Sequence, residues 1–218
     1  GASNSFTLAA GTHTLGLSSY EFGVWENWTM GAGTSLSAQI GTLNLGDTNS
    51  TTLTCSTNCE PYNLTINKTS GTDSNDNVTL ASNLIVRNTL TITDGQLIQG
   101  NYDVRAEGSS AVSIASGTDK EWTNIGTGDL VLGGTFVNAG SVSFDTSDSD
   151  CKPIADDIQI LSTSGGTQRT WSGTTGTWEM YNVYVQDMTR SDSPNITVYS
   201  GTSSNVTGNW SFSSCTIL

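Results

Sequence analysis

Short segments in which apolar and variable residues alternate recur along almost the whole chain. Each one runs for three to five residues before Gly, Asn, Ser, Thr or Asp interrupts it. Representative segments are Leu43–Leu45, Leu64–Ile66, Leu84–Val86, Leu90–Ile92, Val112–Ile114, Leu130–Leu132, Val142–Phe144 and Val183–Val185. Alternation with a period of two places both apolar side chains on one face of a β-strand. Because no stretch shows the 3.6-residue period of a helix, we expect an all-β fold.

The spacing of these segments favours a solenoid. Intervals of 21, 20 and 20 residues separate the apolar positions Leu43, Leu64, Leu84 and Val104. A longer motif that begins with Tyr and Asn or Asp agrees with this spacing, since it occurs at Tyr62–Ile66, Tyr102–Ala106 and Tyr181–Val185. A period of about 20 residues with several short strands in each period is typical of a solenoid, whose coils stack and bury a continuous core.

Three stretches carry a resemblance to a known class of protein. They are YNLTINKTSG, SNLIVRNTLTITDGQLIQGNYDV and GDLVLGGTFVNAGSVSFD, all within residues 62–145. This region resembles the right-handed parallel β-helix (β-solenoid) repeats of large secreted bacterial surface and adhesin-like proteins. The closing YNVYVQDMTRSDSPNITVYSGTSSNVTGNWSF resembles the ends of such repeat regions. The resemblance implies a right-handed parallel β-helix in a secreted protein, and it implies no particular activity.

We expect three segments along the chain. Residues 1–40 form an N-terminal strand or cap, residues 41–160 the β-solenoid repeats, and residues 161–218 a C-terminal β cap. The segment from Trp171 to Phe212 has longer predicted strands, which suits a cap resembling a β-sandwich. The alternative for the whole chain is a β-sandwich filament subunit, because strands every 8 to 12 residues with turn signals also fit a sandwich.

The four cysteines predict two disulfides. An even number of cysteines in a chain rich in Ser and Thr fits an oxidising compartment. Three pairings are possible, and we favour a local Cys55–Cys59 bridge together with a long-range Cys151–Cys215 bridge. A metal site is the weaker interpretation, because His13 is the only histidine and there is no second closely spaced cysteine pair.

The charge balance limits the partners that this chain can bind. It has 20 acidic and 7 basic residues and a formal net charge of −13. Nucleic acids and anionic membranes would repel such a chain, so neither is expected as a partner. No run approaches the roughly 18 apolar residues of a membrane helix. The chain opens at Gly1 without a signal peptide, which indicates a processed mature form or a fragment of a longer protein. We expect an extracellular or cell-surface location.

Eight Asn-x-Ser/Thr sequons predict a surface that a secretory system can glycosylate. Their asparagines are Asn27, Asn49, Asn63, Asn67, Asn77, Asn195, Asn205 and Asn209. The Asn, Ser and Thr content would give roughly five sequons by chance, so the excess is mild.

An acidic cluster around Cys151 is a candidate calcium site. Its members are Asp145, Asp148, Asp150, Asp156 and Asp157, and a smaller group consists of Asp73, Asn75, Asp76 and Asn77. Calcium takes six to eight oxygen ligands, and loops rich in Asp often supply them. The competing interpretation is a solvated turn in which Asp and Asn side chains bond their own backbone. No other cofactor is expected.

We predict no catalytic residue. One histidine cannot complete a credible Ser-His-Asp set, and there is no phosphate-binding loop or dinucleotide-binding motif. The basic residues share no motif; they are Lys68, Arg87, Arg105, Lys120, Lys152, Arg169 and Arg190. The tryptophans suit a role as core fillers better than a sugar-stacking platform; they are Trp25, Trp28, Trp122, Trp171, Trp178 and Trp210.

The sequence therefore favours a structural subunit of an extracellular surface or filament. Phe6–Leu17 alternates and is nearly uncharged, so it could add as a strand to a neighbouring subunit, and Thr216–Leu218 could do the same. The alternatives are a carbohydrate-active β-helix enzyme of the polysaccharide lyase type and a glycan-binding module that does no chemistry.

Overall fold

The computed structural model describes eight segments of the chain: residues 6–9, 13–16, 21–24, 28–32, 34–37, 41–69, 76–145 and 158–213. All regular structure in these segments is β-strand, and no helix occurs in them, hence none long and apolar enough to cross a membrane. The strands are β1 (Phe6–Leu8), β2 (His13–Gly16), β3 (Glu21–Val24), β4 (Trp28–Met30), β5 (Thr34–Ser37), β6 (Thr42–Asp47), β7 (Thr51–Cys55), β8 (Asn58–Cys59), β9 (Asn63–Lys68), β10 (Asn77–Leu80), β11 (Asn83–Val86), β12 (Leu90–Ile98), β13 (Val104–Ala106), β14 (Val112–Ile114), β15 (Lys120–Asn124), β16 (Leu130–Leu132), β17 (Phe136–Asn138), β18 (Ser141–Asp145), β19 (Ile158–Ser162), β20 (Arg169–Ser172), β21 (Thr177–Tyr181), β22 (Val183–Arg190), β23 (Ile196–Tyr199), β24 (Thr202–Gly208) and β25 (Trp210–Ser213).

These strands form a parallel β-solenoid of about 7 turns. The first ladder contains β1, β4, β7, β10, β12, β15, β18, β21, β23 and β25. The second contains β3, β6, β9, β12, β14, β17 and β20, and β20 pairs in turn with the C-terminal part of β22. The third contains β8, β11, β13, β16, β19, β22 and β24. From β9 to β22 the strands enter the three ladders in turn, and β23, β24 and β25 then alternate between the first and third ladders, so the chain winds around a central core.

The core is a set of stacked apolar rows, because inward and outward residues alternate along each strand. In the second ladder one inward row changes from aliphatic to aromatic as the chain proceeds. It consists of Leu43, Leu64, Leu90, Val112, Phe136 and Trp171 in register, each at most 1% exposed. Each such side chain contributes about 1.5–3 kcal/mol by leaving water. Stacking of coils, rather than any single coil, therefore stabilises the fold.

Buried polar side chains satisfy the backbone where the chain turns between ladders. Asn124 donates from Nδ2 to the carbonyl of Gly128 at 2.7 Å and accepts from the N–H of Gly126 at 3.0 Å. At the corner after β17, Asn138 makes a similar pair of bonds, with the carbonyl of Thr177 as acceptor and the N–H of Gly140 as donor. Both asparagines are fully buried, and an unpaired backbone group at these corners would be costly.

The structure confirms the all-β solenoid and corrects two details. Leu64 pairs with Leu90, while Leu84 lies in another ladder and pairs with Val104, so the 20-residue spacing joined positions that are not equivalent. The β-sandwich alternative is wrong for the described strands, since all of their pairings are parallel and a sandwich is antiparallel.

The same parallel pairing in β20 to β25 means that the described C-terminal strands continue the solenoid and form no sandwich-like cap. The division at residues 40 and 160 stays a prediction, and the ladders cross both of these positions.

Candidate functional site

The C-terminal end of the solenoid is the principal candidate interaction surface. Within the described part of the chain, β24 pairs only with β22, and β25 pairs only with β23. A strand with one ladder neighbour presents unpaired N–H and C=O groups on its other edge, where another strand can add. The two strands together offer such an edge over residues 202–208 and 210–213.

Neither strand carries the charged residues or the proline that commonly protect an edge. Their sequences, TSSNVTG and WSFS, contain no charged residue and no proline. Trp210 and Phe212 pack against the core but remain partly exposed, and the Trp210 ring lies 5.3 Å from the buried Trp171 ring. The apolar interior therefore reaches the last described coil without being fully covered.

The N-terminal end shows a related arrangement. In the described part of the chain β1 pairs only with β4, and Phe6 stacks on the fully buried Trp28 at 4.5 Å with an interplanar angle of 22°. Phe6 itself is partly buried. Of the predicted assembly segment Phe6–Leu17, the structure describes β1 and β2, whereas the predicted segment Thr216–Leu218 lies outside the described residues.

The Cys55–Cys59 disulfide is confirmed. It joins β7 to β8 with 5.4 Å between the Cα atoms, and both cysteines belong to the buried core. The N–H of Cys55 also donates to the Ser82 hydroxyl at 2.9 Å. The bridge thus fixes the corner between the first and third ladders. Cys151 and Cys215 lie outside the described residues, so their pairing stays a prediction.

The sequon asparagines fall into distinct environments, although their glycosylation stays a prediction. Asn49 and Asn195 are exposed. In contrast, the Nδ2 atoms of Asn63, Asn205 and Asn209 donate hydrogen bonds within the protein. The remaining members are Asn67 and Asn77, which are half-buried, and Asn27, which lies outside the described residues.

The predicted calcium cluster cannot be placed in the fold. Asp148, Asp150, Asp156 and Asp157 lie outside the described residues, and Asp145 is described only as the last residue of β18. The calcium site at this cluster stays a prediction.

Two basic side chains are fully buried and bond to the backbone. Lys68 donates from Nζ to the carbonyls of Gly46 and Asn49, at 2.6 and 2.8 Å. Arg190 donates to the carbonyls of Gly173 and Pro194, and it lies 5.3 Å from the Trp178 ring. Burial lowers the pKa of Arg190, against a raising effect of Asp192. These groups hold corners of the solenoid together.

The other described basic residues bond to polar partners at the surface. Arg87 bridges Glu107 and Glu60, at 2.9 and 2.6 Å, and these bonds raise its pKa. Burial raises the pKa of Glu107, but hydrogen bonds from Arg105 and Arg87 outweigh it and the pKa is lowered. Lys120 pairs with Asp94 at 2.8 Å. Arg169 bonds to two hydroxyl side chains. Lys152 lies outside the described residues.

One corner of the solenoid carries a row of one Asn and two Asp side chains, and each accepts a backbone N–H from the following coil. The Oδ1 atom of Asn83 accepts the N–H of Asp103, that of Asp103 accepts the N–H of Asp129, and that of Asp129 accepts the N–H of Gln159. Burial raises the pKa of Asp129, and the negative charge of Asp103 raises it further. The hydrogen bond from the Gln159 N–H acts in the opposite direction and only partly offsets the rise. The row thus stacks two acids in successive coils.

A second row, formed by Asp187 and Asn205, lies near the C-terminus, and there the pKa of the acid is lowered instead of raised. Asp187 has a left-handed backbone with φ of 57°, and Asn205 repeats this in the next coil with φ of 53°. Asn205 donates from Nδ2 to one oxygen of Asp187, and the N–H of Gly166 donates to the other. The bond from Asn205 is the main reason that the pKa of Asp187 is lowered. Asn and Asp are the residues other than Gly that tolerate this conformation best.

The aromatic residues behave mostly as core fillers. Trp28, Trp122 and Trp171 are fully buried, with 0% of each residue exposed, whereas Trp178 and Trp210 are partly buried. Trp25 lies outside the described residues, and His13 is described only as the first residue of β2. A tyrosine pair, Tyr181 and Tyr199, stacks at 5.1 Å, and Tyr199 is 37% exposed.

Comparison of the chain with protein-family models, with curated proteins and with solved structures finds no match. The fold and the surfaces described above are therefore the basis for any functional conclusion.

Proposed function

We propose that this protein is a structural subunit of an extracellular surface or filament that assembles by end-to-end β-strand pairing. The observation that carries the proposal is the uncharged edge of β24 and β25, beside the partly exposed Trp210 and Phe212. Soluble proteins commonly protect such edges with charged residues, proline or a covering segment.

The parallel winding sets the direction of assembly. If the C-terminal end of one copy meets the N-terminal end of the next, the added strands run parallel to the existing ladder. The interior aromatics of the two ends, Phe6 on one copy and Trp210 on the other, then continue the same apolar core. Such a head-to-tail contact uses two different surfaces and repeats without closing, which generates a filament.

The extracellular part of the proposal has its own support. The Cys55–Cys59 disulfide fits an oxidising compartment. The net charge of −13 keeps the lateral surfaces mutually repulsive, so association is restricted to the ends.

Negative-stain electron microscopy and analytical ultracentrifugation of the purified chain test the proposal. We expect concentration-dependent filaments. Phe212→Lys places a charge at the uncovered end of the core and should abolish them, and Ser204→Lys, at an exposed position of β24, should weaken them without disturbing the fold. Ile125→Lys is the matched control, because Ile125 is 56% exposed on the lateral surface. A dispersed monomer at high concentration, or equal assembly of all three variants, would contradict the proposal.

A second candidate function is glycan binding, which the stacked pair of Tyr181 and Tyr199 favours. Tyr199 is 37% exposed, and an exposed aromatic ring offers an apolar face on which a sugar can pack. A glycan array compares the wild type with Tyr199→Ala. Binding that the substitution removes would support this candidate, and absence of binding to any glycan would leave only the structural role.

A further inference from the structure

Asp76 is a buried carboxylate without a hydrogen-bond partner. The residue is 1% exposed, and neither carboxylate oxygen accepts a hydrogen bond from any described residue. Its backbone is engaged, since its carbonyl accepts the N–H of Gln96 at 3.1 Å. An ionised carboxylate in this situation loses its hydration without gaining a hydrogen bond, and only a charge attraction to Lys120 at longer range offsets this among the described cations. The loss costs several kcal/mol unless a proton or a cation binds.

The surroundings of Asp76 consist of oxygen-bearing side chains. A cavity of about 10 Å³, the space of one water-sized particle, is lined by Asp76, Gln96, Thr118, Asp119 and Glu121. Three of these residues are acidic. The solenoid brings them together from three successive coils, because Asn77, directly after Asp76, pairs with Gln96, which in turn pairs with Glu121.

A glycine makes the close approach possible. Gly95 has φ of 85°, and a Cβ atom at this position would lie 2.5 Å from the Asp76 carbonyl oxygen and 2.6 Å from Cβ of Lys68. A larger residue would therefore push the corner of β12 away from Asp76. The absence of a side chain keeps the coils close enough for the cavity to be lined from both sides.

The neighbouring cations and donors are already engaged elsewhere. The Lys120 ammonium pairs with Asp94 at 2.8 Å and forms no ion pair with Asp76. The Gln96 amide nitrogen donates to one oxygen of Glu121 at 2.8 Å and to the Thr123 hydroxyl at 2.7 Å. Oxygens of four side chains remain to receive a positive charge: the second oxygen of Glu121, the Gln96 carbonyl oxygen, both oxygens of Asp76 and the Asp119 oxygen that does not accept the Thr118 hydroxyl.

We propose that this cavity, defined by Asp76, Gln96, Thr118, Asp119 and Glu121, binds a calcium ion. Calcium accepts irregular sets of carboxylate, carbonyl and water oxygens, whereas magnesium demands near-ideal octahedral geometry. No three Asp, Glu, His or Cys side chains of the described residues are arranged to hold a metal by themselves. The ion would fill the cavity, so neutral side-chain oxygens and solvent water on its exposed side, beside Thr118, complete the shell. Such a site is weak, with a dissociation constant on the order of 10⁻⁴–10⁻³ M, the range of extracellular calcium modules.

Thermal unfolding in EDTA and in millimolar CaCl₂, at equal ionic strength, tests the site. The wild type should gain a few degrees in Tm on addition of calcium, because a ligand that binds only the folded state stabilises it. Asp76→Asn should be more stable than the wild type in EDTA, since it removes the unpaired charge, and it should lose the response to calcium. A wild type that does not respond, or an Asp76→Asn variant that responds equally, would overturn the proposal.

Two further variants keep the result interpretable. Glu121→Gln changes a half-buried surface residue and should reduce the calcium response while preserving the fold, even if Asp76→Asn folds poorly. The double variant Asp148→Asn, Asp150→Asn removes charges from the separate acidic cluster and should retain the full response. If the double variant instead abolishes the response, calcium binds at that cluster and the site at Asp76 is refuted.

Discussion

The middle of the solenoid and its C-terminal end belong to the same parallel ladders, but different contacts stabilise them. In β9 to β18 each strand lies between two neighbours and the inward residues are mostly aliphatic and fully buried. In β20 to β25 the last two strands have one described neighbour each, and the partly buried rings of Trp178, Trp210 and Phe212 pack against the interior. A terminal coil gains contacts from one side only, so larger side chains compensate for the missing coil.

The aromatic interior of the C-terminal end is one continuous cluster. Phe136 stacks on Trp171 at 4.3 Å, and Trp171 contacts Trp178 at 5.1 Å and Trp210 at 5.3 Å. The cluster begins fully buried and ends partly exposed. Aromatic residues therefore have two roles. In the middle of the solenoid they fill the core, and at the C-terminal end they form a partly exposed apolar surface on which a further coil can stack.

Substitution of Trp122 and of Trp210 distinguishes these two roles, and Trp122→Ala should have the largest effect on the free energy of unfolding. Trp122 is fully buried against Phe136 and Phe144, and its Nε1 donates to Gln99 at 3.0 Å. Trp122→Ala should lower the free energy of unfolding by about 3–5 kcal/mol, measured by urea denaturation of the dispersed monomer. Trp210→Ala should cost about half as much, because the ring is already partly exposed.

The same two variants distinguish stability from assembly. Trp210→Ala should impair filament formation out of proportion to its effect on folding, while a core variant with a comparable loss of stability, such as Ile114→Ala, should assemble normally. Equal losses of stability for Trp122→Ala and Trp210→Ala would mean that the C-terminal end is as well covered as the middle.

The sequence was sufficient to predict the class of fold because strand alternation is a local property. Each apolar pair fixes which side chains face inward, and this holds whatever the length of the turns. The register was not predictable, because a coil can lengthen at its corners without changing the pattern. Leu64 and Leu90 pair across one such lengthened coil, and Phe136 pairs with Trp171 across another.

The candidate surfaces were predictable only in part. The near absence of charge in residues 202–213 is visible in the sequence, and so is the Cys55–Cys59 spacing that predicted the disulfide. The cavity beside Asp76 combines residues from three coils. Its formation depends on the pairing of β10, β12 and β15, which the 20-residue spacing of apolar segments did not predict. The burial of Lys68 and Arg190 was equally hidden, since long basic side chains usually lie in water.

The Asp187 corner, near the C-terminal end, should make stability depend on acid. Its pKa is lowered mainly by the hydrogen bond from Asn205, so its contribution is present above the unfolded-state pKa of about 3.9 and is lost as the pH falls through the folded value. Asp187→Asn keeps a residue that tolerates φ of 57° but removes the charge. The variant should be less stable than the wild type at pH 7, and in urea titrations the difference should begin to shrink below about pH 4 and vanish once the pH is below the lowered folded pKa. A difference that persists at low pH would mean that shape, and not charge, holds this corner.

The Asp129 corner, in the middle of the solenoid, should show a smaller dependence of opposite sign. Burial and the facing Asp103 raise its pKa, so the stabilising form is the protonated one and its contribution is lost as the pH rises through the folded value. Asp129→Asn retains an oxygen to accept the Gln159 N–H and should raise the stability at pH 7 by no more than about 1 kcal/mol. The advantage should disappear on acidification. Asp103→Asn is the matched variant, because it relieves the same repulsion from the other side.

Glycan occupancy should differ between sequons whose asparagine is exposed and sequons whose asparagine Nδ2 donates within the protein. Asn49 and Asn195 are exposed, whereas Nδ2 of Asn209 donates to the carbonyls of Asp192 and Ser191, and Nδ2 of Asn63 donates within the second ladder. A glycan attached to Nδ2 interferes with these bonds, so chains modified at Asn63 or Asn209 should fold less efficiently.

Peptide mass spectrometry of the chain secreted from a glycosylating host measures the glycan occupancy of each of these sequons. Asn49 and Asn195 should be the most highly occupied of these four sites, and Asn209 should be occupied least, because its sequon joins the two edge strands β24 and β25. Full occupancy of Asn209 would place a bulky sugar beside the proposed assembly edge. Folded, fully modified Asn209 chains that still form filaments would therefore show that the edge of β24 and β25 is not the contact between subunits.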